Sequence, residues 1–179
     1  KKILNLNYED LYKNLFVYDV PLNFKTAFKI NSKSKAKYVI ECFEIAIKLS
    51  KLKKIHGFIN CPVNKKDIFK SNHGVTEFLA RKSNILGKEA MIIFNKKLSV
   101  SPITTHIKLK QVSKNLSKKI IYEKVKTINQ FYIDKFGFKP KIGILGLNPH
   151  NYELRNNSEE KKIILPAIKK LKKKGIKVK

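Results

Sequence analysis

Two of the four histidines in the sequence, His106 and His150, each close a short polar cluster that follows an apolar run. The clusters are Thr104-Thr105-His106 and Asn148-Pro149-His150, and a third, Cys61-Pro62-Val63-Asn64-Lys65, follows GFINC in the same way without a histidine. If the apolar runs are strands of an open α/β sheet, all three clusters lie where such sheets gather ligands, beyond the carboxyl ends of the strands. Neutral imidazole is the commonest side-chain metal ligand, and two imidazoles on separate strand ends can converge on one divalent cation. Their wide separation in sequence carries no local metal signature, so a capping or core histidine stays open as the plain alternative. His56 and His73 stand in less pointed contexts and read as surface or helix-edge residues.

A second candidate is Thr76, in His73-Gly74-Val75-Thr76-Glu77. At a helix start its hydroxyl and the nearby free N–H groups suit an anionic ligand, and they equally suit a simple N-cap. Asn64 and Lys65 divide the same way, between a ligand contact and a helix cap beside a solvated lysine. The chain has no glycine-rich phosphate loop, no CxxC pair and no GxSxG elbow, which removes the common nucleotide and nucleophile motifs.

These residues need elements to hold them. Strands are expected at 15–20, 57–61, 90–94, 98–105 and 141–147, the third and fourth joined by the turn at Asn95-Lys96-Lys97. Helices are expected at 34–50, with Val39, Ile40, Phe43, Ala46 and Ile47 inward, and at 64–71 and 76–83, the latter capped by Thr76. A long helix over 117–136 turns Ile120, Ile121, Val125, Ile128 and Tyr132 inward and stops at Gly137. A last helix runs from Ser158 to about 174, with Glu159 and Glu160 at its positive end, a kink at Pro166 and Gly175 as its close. Ile176-Lys177-Val178 then begins another strand. The alternation predicts an α/β fold, a mostly parallel mixed sheet flanked by helices.

At 179 residues with 42% hydrophobic composition the chain can bury a core of one domain. Its formal charge of +27 invites a nucleic-acid reading. Against that, only Arg81 and Arg155 are arginine, and the lysines spread along the whole chain among Ile and Asn. A basic nucleic-acid-binding domain is therefore the alternative, and a solvated basic surface the main reading. Cys42 and Cys61 are too few for a disulfide framework, which favours a reduced, cytoplasmic setting. No apolar run approaches the roughly 20 residues of a membrane span.

Taken in order, GFINCPVNKKDI (57–68), GVTEFLA (74–80), VSPITTHIKL (100–109), IGILGLNPHNYE (142–153) and SEEKKIILPAIKKLKKKGI (158–176) resemble the 4-hydroxythreonine-4-phosphate dehydrogenase family of pyridoxal phosphate biosynthesis. Thr-Thr-His-x-x-Leu and Gly-Leu-Asn-Pro-His are the most specific of these pieces. The motifs cover residues 38–179, and residues 1–37 carry none that can be assigned.

The resemblance implies an isocitrate/isopropylmalate dehydrogenase-like α/β fold, here expected to be incomplete at both ends. It implies that His106 and His150 ligate a divalent cation (Zn, Mg, Mn or Co), that Thr76 contacts substrate, and that Asn148 and Pro149 fix the exit of the last strand. It further implies NAD(P)-linked oxidation and decarboxylation of 4-phosphohydroxy-L-threonine, in a homodimer. Val75 departs from the pattern, standing where the family has a histidine beside the threonine. The family's third metal histidine, in Tyr-His-Asp-Gln, and most of its cofactor contacts have no counterpart in this sequence, so the chain is expected to be the central portion of a longer enzyme.

Overall fold

A computed structural model describes residues 16–26, 29–69, 74–148, 150 and 157–179. Leu15, His73, Pro149 and the stretch 151–156, all part of the sequence reading, lie outside the described residues. The chain divides into two units, Lys1–Asn84 and Ile85–Lys179.

In the first unit, helix α1 (Ser32–Lys51) begins two residues earlier than the apolar pattern suggests. Asn31 is the reason: its Oδ1 accepts the Ser34 N–H at 2.8 Å, supplying one of the partners that a helix start lacks. Phe43 and Ile47 form the buried stripe, while Val39, Ile40 and Ala46 are half-buried. Helix α2 (Lys65–Phe69) buries Ile68 and helix α3 (Val75–Lys82) buries Ala80. An aromatic seam ties these pieces together. The Phe43 ring lies 5.8 Å from Phe78 and 6.3 Å from Phe58, and Phe69 lies 5.1 Å from Phe78, separations at which tilted rings attract.

Two expected strands do not form here. Residues 57–61 and 16–20 have no ladder among the described residues, and Ile59 is fully exposed. A short apolar run predicts burial, but a strand also needs a neighbour to accept its N–H groups, and sequence periodicity cannot supply one.

In the second unit, a tight turn at Asn95 joins two extended segments through one antiparallel bridge, Ile93 to Val100, with hydrogen bonds of 2.8 and 3.0 Å. A turn of 3₁₀ helix (Leu109–Gln111) leads into the short α4 (Val112–Asn115). The Ser117 side chain then caps α5 (Lys118–Phe136), which ends at Gly137 with φ of 73°, a conformation that suits a residue without Cβ. The buried face of α5 is Ile121, Val125 and Asn129, one residue per turn. Ile120, Ile128 and Tyr132, expected inward, are half-buried. The polar residue that ends the stripe, Asn129, hides its phase from a hydrophobicity count.

The core of this unit joins Ile121 and Val125 to Ile164, Ala167, Ile168 and Leu171 of the last helix and to Ile176 and Val178 beyond it. Leu171 has no exposed surface, and complete burial of a leucine side chain is worth about 2–3 kcal/mol. The last helix is not simply kinked at Pro166. A wide π turn (Glu160–Ile164) precedes the α-helical part, α6 (Leu165–Lys173). The widened turn falls just where proline removes an N–H donor, so the chain absorbs the loss without a break.

The expected strand at 176–178 does pair. Ile142 and Val178 form a parallel bridge, held by Ile142 N–H to Lys177 O, Ile144 N–H to Lys179 O and Lys179 N–H to Ile142 O at 2.8–3.0 Å. Among the described residues backbone pairing amounts to these two bridges.

Candidate active site

The segment that delivers His150 is fixed at both of its ends. At its start, the bridge to Val178 anchors Ile142, and both Ile142 and Ile144 pack on the core. At its end, the N–H groups of Leu147 and Asn148 both donate to Glu160 Oε1, at 2.9 and 3.1 Å. The Asn148 side chain carries the restraint onward, its Oδ1 accepting the His150 N–H at 2.9 Å. His150 itself is exposed.

Glu160 is only 4% exposed. Burial pushes its carboxyl up, but hydrogen bonds from its own N–H, from Asn148 and Leu147 and from the Ser158 hydroxyl outweigh that and hold it below the usual glutamate value. The folded protein therefore favours its ionised form, whose charge these hydrogen bonds stabilise. In sequence, Glu160 reads only as an acid suited to a helix start. Its second role, reaching back 12 and 13 residues to a loop, has no local sequence signal.

His106 is held differently. It lies at φ of 55°, in the left-handed region, one of three non-glycine residues so placed among those described. For a residue with a Cβ this conformation costs about 1–2 kcal/mol, and such strain tends to gather at functional positions. Thr104 and Thr105 before it are half-buried, while His106 is exposed.

In the first unit the structure corrects the role of Thr76 as a cap. Helix α3 starts at Val75 with Gly74 as its N-cap, and Thr76 lies exposed in the first turn. The Glu77 carboxylate accepts the Gly74 N–H at 2.8 Å, so the acid three residues on does the capping work that the threonine was expected to do. Gly74 is buried, and a Cβ there would come within 3.1 Å of Glu77 Oε2 and 3.5 Å of Lys65 Nζ. The structure thus brings Lys65 of the 61–65 cluster to the start of the helix carrying Thr76. Asn64 follows the plainer of its two readings, its Oδ1 accepting the Lys66 N–H at 3.2 Å.

The donors fit a divalent cation in kind. His106 and His150 belong to one unit and both are exposed; the backbone leading to His150 is held by hydrogen bonds, while His106 takes a left-handed φ. Among the described residues no group of three or more His, Cys, Asp or Glu side chains gathers into a complete cation site. These two imidazoles could supply part of a ligand set.

Comparison with known proteins gives a consistent answer. Residues 3–179 match the family model described as pyridoxal phosphate biosynthetic protein PdxA. The chain is 41% identical over 168 residues to a 4-hydroxythreonine-4-phosphate dehydrogenase from Sulfurihydrogenibium sp., covering 90% of this chain and 50% of the relative. It is 30% identical over 169 residues to a D-threonate 4-phosphate dehydrogenase from Pectobacterium atrosepticum, covering 90% of this chain and 51% of that one. The crystal structure of a 4-hydroxythreonine-4-phosphate dehydrogenase from Klebsiella pneumoniae is similar at a TM-score of 0.73 and 27% identity, over 82% of this chain and 46% of that one. That likeness gives the chain an α/β fold. The chain spans about half the length of the curated relatives it matches.

Proposed function

Because the chain belongs to the PdxA family of pyridoxal phosphate biosynthetic proteins, we propose that the intact protein is a 4-hydroxythreonine-4-phosphate dehydrogenase. In this reading it oxidises and decarboxylates 4-phosphohydroxy-L-threonine with NAD(P) and a divalent cation, as a cytoplasmic homodimer. The observation that carries it is the family match over residues 3–179, a span that includes Thr76, His106 and His150. The same reading takes the extended segments as strands of a mostly parallel mixed sheet, supported by the parallel bridge between Ile142 and Val178. Among the described residues no helix is long and apolar enough to cross a membrane. The nucleic-acid alternative gains no support, since the relatives matched are dehydrogenases.

His106 and His150 would hold the cation, and Thr76 would contact the substrate. When bound, the cation would supply Lewis-acid stabilisation of negative charge on the substrate oxygen, and a nicotinamide would supply the hydride-accepting chemistry. Imidazole ligands add no negative charge, so they leave the electrostatic pull of the cation undiminished. The hydrogen-bonded backbone at His150 would be set in advance, which spares reorganisation when substrate arrives.

The test is Mn2+ affinity of the intact protein by calorimetry. His106→Ala and His150→Ala should each weaken it by at least roughly tenfold, as expected when a ligand is removed from a site whose outer partners alone are worth that much. Unchanged affinity in both variants would overturn the metal assignment. A second substrate reading has two observations in its favour: Val75 cannot donate the hydrogen bond of the family's usual histidine, and a relative named D-threonate 4-phosphate dehydrogenase is 30% identical to this chain. NAD(P) reduction measured with both substrates decides between them.

A further inference from the structure

We propose that Glu160 is a positioning residue for His150: its carboxylate fixes the Leu147 and Asn148 N–H groups, and the Asn148 side chain passes that restraint to the His150 backbone. This rests on the reading of His150 as a cation ligand and adds to it a residue that neither touches the cation nor lies near His150 in sequence.

Three observations carry the inference. The first is geometric: one carboxylate oxygen accepts two consecutive backbone N–H groups at 2.9 and 3.1 Å, three and two residues before the histidine. Two consecutive N–H groups aimed at one oxygen define the direction of the chain there, because rotating either peptide would break one bond. The second is the continuation through Asn148 Oδ1, which accepts the His150 N–H at 2.9 Å and so ties the histidine backbone to the anchored residue. The third is the stiffness of the anchor. Glu160 opens the π turn, and its own carbonyl accepts the Leu165 N–H. Ile164, Ala167, Ile168 and Leu171 then root the helix in the core. A restraint that begins in the core and ends at the histidine can place a ligand to within the tolerance a cation demands, which a free loop cannot.

A purely structural role makes a different prediction. If Glu160 only stabilises the fold, its loss should weaken the unit as a whole and act independently of His150. If it acts through His150, its effect on cation binding should vanish once that imidazole is gone.

The experiment is a double-mutant cycle on the intact protein, with Mn2+ affinity read by calorimetry and the visible spectrum of bound Co2+ as a report on ligand geometry. Glu160→Ala should weaken Mn2+ binding by roughly 10- to 100-fold, the range for loss of a group that orients a ligand. Glu160→Gln keeps an acceptor oxygen and should recover most of that loss. In the His150→Ala background, Glu160→Ala should cost less than about twofold more. Asn148→Ala, at an exposed position, removes only the last link and should weaken binding by a smaller factor and alter the Co2+ spectrum. It tests the same chain of restraint should Glu160→Ala fail to fold. Full additivity in the cycle overturns the inference, as does wild-type affinity in both Glu160→Ala and Asn148→Ala with an unchanged Co2+ spectrum. If His150→Ala itself leaves Mn2+ affinity unchanged, the ligand reading fails and takes this inference with it. If His150→Ala weakens binding while Glu160→Ala and Asn148→Ala do not, the inference alone fails.

Discussion

The two histidine-bearing turns of the second unit are held by opposite means. The turn at His150 is satisfied: a buried carboxylate takes two N–H groups, and an asparagine takes a third. The turn at His106 is strained, with a Cβ-bearing residue kept in left-handed backbone. In the first case stability and positioning run together, so damage to the anchor should harm both. In the second they are opposed, so relieving the strain should help the fold while doing nothing for the site. A shared imidazole chemistry does not imply a shared way of fixing it.

The largest effect expected of this contrast is in Glu160→Ala. Hydrogen bonds to a charged acceptor are worth about 1.5–3 kcal/mol each in favourable cases. Losing two that share one oxygen at a buried site should lower the unfolding free energy by about 2–3 kcal/mol, read from the urea midpoint of the intact protein. Amide exchange should accelerate at Leu147 and Asn148 and stay unchanged at 104–106. Equal acceleration at both turns would show that they are not held separately.

Acid should act on the same anchor without mutation. The carboxyl of Glu160 lies below its ordinary value in the folded protein, so the folded state favours the ionised form. Its contribution is complete above the unfolded glutamate value and drains away as the pH falls through the lower folded one. The difference in urea midpoint between the wild type and Glu160→Gln should therefore shrink from about pH 6 to about pH 3. A difference that stays constant across that range would mean that the charge of Glu160 contributes nothing, leaving hydrogen-bond shape alone.

How much of this was legible in the sequence depends on the distance over which each feature is decided. Helix ends were readable because caps are local: Ser117 and Gly137 bound α5 as the residue types suggest. The cap of α3 was misassigned to Thr76 although the signal, Glu77 three residues after Gly74, is equally local. The strands were less legible, since 57–61 looks like a buried strand yet exposes Ile59 fully. A ladder is a property of two segments, and hydrophobicity reports on one. His106 and His150 stand out as candidates through motif and position, whereas the hydrogen bonds of Glu160 do not show in sequence, because its partners lie 12 and 13 residues away across a loop. The φ of His106 was equally hidden, as nothing in Thr-Thr-His marks a left-handed residue.

That hidden strain yields the smallest and most discriminating expectation. Replacing His106 by glycine removes the Cβ clash worth about 1–2 kcal/mol, while glycine returns about 0.5–1 kcal/mol through the greater freedom of the unfolded chain. The net gain in unfolding free energy is therefore between about 0 and 1.5 kcal/mol. His106→Ala keeps the Cβ, and with it the strain, so it should show no such gain. Both variants lose the imidazole and should weaken Mn2+ binding alike, which separates the two quantities that the wild-type residue combines. A His106→Gly protein no more stable than His106→Ala would mean that the left-handed turn costs nothing, and the contrast with the anchored turn at His150 would collapse to a difference in hydrogen bonding alone.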